Sequence, residues 1–79
     1  MVDSTIQRHE WDSARIRALR SHLGLTQREM ARRLGTRQQT ISEWEKGIYR
    51  PRGASSTLLT LVAESARFRY EPGAQEKDS

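Results

Sequence analysis

The sequence contains no cysteine, so disulfides and thiolate metal sites are excluded and a reducing, cytoplasmic setting is expected. The opening MVDSTIQRHE lacks the apolar core of a secretory leader, and no run approaches the roughly 20 apolar residues of a membrane span. The five glycines do not follow phosphate-loop spacing, and no serine sits in a glycine elbow. Neither His9 nor His22 has a carboxylate or second histidine at ligand spacing, which argues against a metal site, a cofactor or catalysis. Apolar residues are also scarce. At 34% of 79 residues they suffice for one small domain with a modest core, and there is no internal repeat. A core of that size supplies only about 3–5 kcal/mol, so association with a second copy or a ligand is a natural supplement.

Basic charge is the first feature present in excess, and it is unevenly placed. From Arg8 to Arg52 eleven Lys and Arg face five Asp and Glu, a surplus of six, whereas from Gly53 onward acids outnumber bases by one. A basic segment attracts polyanions by releasing their counterions, which fits DNA, RNA or an acidic membrane, as well as a plain solvated arginine-rich surface.

The pattern of apolar residues is all-helical. Residues 1–11 read as a flexible arm, 12–71 as a domain and 72–79 as a disordered tail. Asp12 is expected to cap a first helix carrying Ile16, Leu19 and Leu23 on one stripe, with Trp11 and Ile16 as a hydrophobic staple and Gly24 as its stop. His22 falls in its last turn, where a cation suits the helix dipole. Thr26 and Glu29 form a T-x-x-E capping box opening a second helix, with Met30, Ala31 and Leu34 inward and Gly35 at its end. Thr36 is expected to cap a third helix from about Arg37 to Lys46, with Gln39 completing a second box and Gly47 as the stop. Pro51 and Gly53 interrupt the chain, and a fourth helix runs from Ala54 or Ser55 to Ala66 with Leu58, Leu59, Leu61 and Val62 as its stripe. Phe68 and Tyr70 precede Pro72 and Gly73, so a fifth helix is absent or reduced to a turn.

Two short helices around Leu34-Gly35-Thr36 are the layout of a helix-turn-helix, in which the start of the second helix enters the major groove. Arg37, Gln38, Gln39, Ser42, Glu43 and Lys46 are the positions that Ile41 and Trp44 leave facing outward. Leu25-Thr26-Gln27, Gly35 to Ser42, Trp44-Glu45-Lys46-Gly47 and Pro51 together resemble the lambdoid phage repressor and Cro family, the Xre-type regulators, over roughly Arg15 to Val62.

That resemblance implies a compact repressor-like domain binding double-stranded DNA. It casts Gln38, Gln39, Ser42 and Glu43 as base-reading residues, glutamine being able to pair with adenine N6 and N7. Glu43 departs from the glutamine or arginine common among relatives; it either accepts from cytosine N4 or orients Gln39 or Arg37. Gln27 matches the phosphate-clamping glutamine, and Arg37, Lys46, Arg50 and Arg52 are expected on the sugar-phosphate backbone. Gln39 has the alternative of capping Thr36; Arg32 and Arg33 read as a solvated face and Trp44 as core. Arg20 and Glu45 correspond to a partly buried structural ion pair. Two functions follow: a repressor bound as a homodimer to a palindromic operator, or an antitoxin or bridging module that engages a toxin or other protein partner. The dimer surface is expected among the fourth helix, Phe68, Tyr70 and Trp11.

Overall fold

The computed structural model describes residues 11–70, which form four α-helices: α1 (Ser13–Leu23), α2 (Gln27–Leu34), α3 (Gln38–Glu45) and α4 (Ala54–Ser65). Of the expected arm, 1–11, only Trp11 is among the described residues, and it is buried in the core; residues 1–10, Glu71 and the tail from Pro72 lie outside them.

α1 and α2 start where local chemistry says they should. The Asp12 carboxylate accepts from the Arg15 N–H at 2.9 Å, and Trp11 and Ile16 are both buried, as a staple requires. At α2 both arms of the capping box are made: the Glu29 N–H donates to Thr26 Oγ1 at 3.0 Å and the Thr26 N–H to Glu29 Oε1 at 2.9 Å. Gly35 ends α2 at φ +72°, a left-handed conformation that costs glycine little. The reversal is closed by Gly35 N–H to Arg32 O and Thr36 N–H to Ala31 O.

That closure overturns the expected start of the third helix. The cap of α3 is Arg37 rather than Thr36, and its side chain makes no capping hydrogen bond. The physical reason is that Thr36 still belongs to the end of α2, its backbone amide serving the last turn of that helix. Gln39 therefore completes no box there and is left for another contact. α3 ends within one residue of expectation, with Lys46 as cap and Ile48 N–H returning to Glu43 O at 3.0 Å.

The core sits where the four helices meet. Ile16, Leu19, Met30, Ile41 and Leu59 are fully buried, and Trp11, Ala31, Leu34, Trp44 and Ala63 surround them. Burying each large aliphatic side chain contributes about 1.5–3 kcal/mol. α2 packs against α3 and α4, and α1 against α3. On α4 the expected stripe is corrected: Leu59 and Ala63 face the core with Val62 beside them, whereas Leu58 is 36% and Leu61 55% exposed. The segment TLLTLVA is apolar around much of its circumference, so spacing alone admits more than one inward face. Docking selects the i, i+4 pair of Leu59 and Ala63.

After α4, Arg67 takes a left-handed conformation (φ +55°) and the Phe68 N–H bonds back to Ala63 O at 2.8 Å. Phe68 packs on the core and Tyr70 stacks on it at 6.4 Å, so within the described residues a turn stands in place of a fifth helix.

Candidate nucleic-acid interface

The position of α3 is fixed at its C-terminal end by a network centred on Glu45. Its carboxylate takes a forked pair of hydrogen bonds from Arg20 of α1, Nε to Oε2 at 2.7 Å and Nη2 to Oε1 at 3.0 Å. Arg20 Nη1 also donates to Leu25 O, so one planar guanidinium ties α1 to the start of α2 and the end of α3. Gln27 Nε2 adds a donor to Glu45 Oε1 at 3.0 Å, and Arg17 donates to the Glu45 backbone carbonyl. The Glu45 side chain is only 6% exposed. Burial pushes its carboxyl pKa up, but hydrogen bonds from Arg20 and Gln27 and the charges of Arg20 and Arg17 prevail and hold it below the ordinary value. The expected ion pair is thus present, and it is a hub rather than an isolated bridge.

With α3 held this way, Gln38 and Gln39 at its start are exposed, and Ser42 and Glu43 one turn on are half-exposed. Ile41 and Trp44 are turned into the core. The first turn of α3 also has no side chain capping its amides, unlike the first turns of α1 and α2. Those amides and the helix dipole make this end attractive to an anion. Arg37 is exposed just ahead of the helix and Lys46 just behind it. Arg50 and Arg52 line a groove of about 910 Å³ together with Thr40, Trp44 and Pro51, which places the connector between α3 and α4, residues 46–53, beside α3. The nine residues expected to touch DNA are therefore spread over α3, its two ends, the connector and the first residue of α2.

Side-chain hydrogen bonds already engage Gln27, Gln39 and Glu43. Gln27 is committed through one amide hydrogen to Glu45, leaving its carbonyl and second hydrogen outside that bond. Gln39 donates from Nε2 to Glu43 Oε2 at 3.2 Å, which settles its alternative in favour of a contact along the helix rather than a cap.

Sequence reasoning missed the contacts of three residues around this site. Arg17 closes the end of α3 from 28 residues away in the chain. Arg15 lies 5.3 Å from the Trp11 ring centroid and 5.1 Å from that of Tyr70, between the two aromatics. His22 Nε2 donates to Ala66 O at 2.9 Å and its ring meets Phe68 at 5.3 Å, joining the ends of α1 and α4. Apart from Trp11, which lies one turn before Arg15, every partner is distant in sequence and leaves no local signature.

Comparison with known proteins agrees with this geometry. A helix-turn-helix family model matches residues 16–59, more than half of the chain. An uncharacterized HTH-type transcriptional regulator from Archaeoglobus fulgidus is 49% identical over 57 residues, 72% of this chain and 77% of that protein. Another, from Methanothermobacter thermautotrophicus, is 56% identical over 36 residues, 46% of this chain and 52% of its own length. No solved structure matches at a meaningful level. No helix among the described residues is long and apolar enough to cross a membrane. The matched residues include α2, the glycine turn and α3, and the chain belongs to the Xre/Cro-like helix-turn-helix family of DNA-binding transcriptional regulators.

Proposed function

We propose that this protein binds a specific double-stranded DNA site through α3 and represses transcription by occupying promoter DNA, as a homodimer on a palindromic operator. The observation that carries this reading is the division of α3: Ile41, Trp44 and Glu45 are buried while Gln38, Gln39, Ser42 and Glu43 occupy its outer face. Gln38 and Gln39 stand at the end of the helix that enters the major groove, where an amide can pair with a base edge. Arg37, Lys46, Arg50 and Arg52 supply the sequence-independent attraction to phosphates, and Gln27 uses its remaining donor on the backbone. Such a protein works in the cytoplasm, beside the DNA.

Selection from random duplexes at two salt concentrations tests the reading. Wild type should enrich a two-fold symmetric site with half-sites about one helical turn apart and lose affinity steeply as salt rises. Gln38→Ala and Gln39→Ala should each relax one position of the half-site. An unchanged preferred sequence in both variants would remove them from the base-reading set.

The second reading is a protein-interaction module, an antitoxin or a bridging factor. It is favoured by the exposure of Ile48 (57%), Tyr49 (61%) and Leu61 (55%), apolar surface that a dimer contact or another protein would cover. Recovery of a defined second chain on purification would support it, and the two readings are compatible in a regulator that also masks a partner.

A further inference from the structure

The hydrogen bond between Gln39 and Glu43 restricts what α3 can present to a base. A glutamine carboxamide has two N–H donors and one carbonyl acceptor, and its last torsion is soft enough for either end to turn outward. An ionised carboxylate accepts and does not donate. Glu43 therefore stabilises the amide nitrogen beside it, as the 3.2 Å contact records, and repels the carbonyl oxygen of the flipped form. With one hydrogen held by Glu43, Gln39 is left with Oε1 and one N–H side by side. This donor–acceptor pair matches the major-groove edge of adenine, which offers N7 as acceptor and N6–H as donor; guanine offers two acceptors there and would set O6 against Oε1.

The charge of Glu43 supports an orienting role. Between Arg37 at one end of α3 and Lys46 at the other, it is the single acid on the outward face of the helix, where phosphates would disfavour it. A carboxylate turned along the helix toward an amide offsets that cost with a contact that a neutral apolar residue would not make.

We infer that Glu43 is a positioning residue which, by holding the Gln39 amide in one orientation, gives α3 its preference for adenine at one base pair of each half-site. This rests on the DNA-binding reading above. Glu43 acts through Gln39 and touches no base itself.

The test is a selection from random duplexes with wild type, Gln39→Ala, Glu43→Ala, Glu43→Gln and the double variant Gln39→Ala/Glu43→Ala. The readout is the adenine preference at the position that Gln39→Ala relaxes, which for a bidentate contact is about five- to a hundredfold. Glu43→Ala should lower that preference about two- to fivefold, the scale of one exposed, charge-assisted contact along a helix. Glu43→Gln keeps a carbonyl acceptor at the same reach and should restore part of it. In the Gln39→Ala background, Glu43→Ala should change no position. Retained binding of random duplex at low salt verifies that each variant is folded. Relaxation of a different position by Glu43→Ala would mark a direct base contact and overturn the positioning role, as would an unaltered adenine preference or a site in which no position depends on Gln39. Should wild type enrich no sequence at all, the DNA-reading assignment falls with it; a specific site indifferent to Glu43→Ala removes the positioning role alone.

Discussion

Arg20 shows how much of this fold can depend on one side chain. It makes hydrogen bonds to Glu45 and to Leu25 O, and its loss would leave a 6% exposed carboxylate with Gln27 as its remaining donor, Arg17 bonding to the Glu45 backbone carbonyl instead. Breaking a buried pair costs about 3–5 kcal/mol; with Arg20 a quarter exposed, Arg20→Ala should fall at the low end of that range in a urea unfolding curve. A curve superimposable on wild type would show that the pair contributes nothing. The same network sets a pH dependence. Because the folded-state pKa of Glu45 is depressed, the stability it contributes is fully present above its unfolded value near 4.5 and is lost as pH falls through the folded value. Unfolding free energy should therefore decline on acidification below 4.5, and Glu45→Gln should flatten that decline while lowering stability at neutral pH. The ion pair entered the sequence reading only through family resemblance, since a spacing of 25 residues between Arg20 and Glu45 leaves no periodic trace. Gln27 shows the reverse: its part in the hub was not foreseen, because a polar residue at a helix start reads first as a surface group.

At the scale of the element, α2 carries its start signal in four residues. Thr26→Ala removes the acceptor for the Glu29 amide and should cost about 1 kcal/mol in thermal or denaturant unfolding, without altering the DNA sequence preferred. A shift in preference would mean that the cap also sets the angle of α3. The third and fourth helices show where such signals fail. Thr36 looks like a cap in sequence, yet its amide is used by Ala31 O, and α3 begins one residue later without a side-chain cap. Leu58 and Leu61 look like core on α4, yet the helix turns Leu59 and Ala63 inward. In both cases two local solutions have similar energies, and the neighbouring helix makes the choice.

For the molecule as a whole, charge and shape act together. The basic surplus from Arg8 to Arg52 spans the helix-turn-helix, whereas the chain from Gly53 onward is slightly acidic. Lys46, exposed at the end of α3, belongs to the general field. Lys46→Ala should weaken binding about equally for all duplexes and reduce the slope of log affinity against log salt by about one, measured by fluorescence anisotropy across a salt series. A sequence-dependent loss would move Lys46 into the base-reading set. The other end of the molecule is closed by long-range contacts: Arg15 between Trp11 and Tyr70, and His22 on Ala66 and Phe68. They bind the segment after α4 to α1.

The sequence by itself determined the four helices, the glycine ends of α1 and α2, the capping box at Thr26 and the polar outer face of α3, because each follows from interactions within about one helical turn. Only the tertiary structure decided which face of α4 is buried, that Thr36 serves α2, that Gln27 and Arg17 join Arg20 on Glu45, and that Gln39 is held by Glu43. Most of these depend on distant residues meeting, and the last, though one turn apart, is one of several bonds a glutamine on an open helix face could make. The packing that buries Glu45 leaves Gln39 and Glu43 facing outward together.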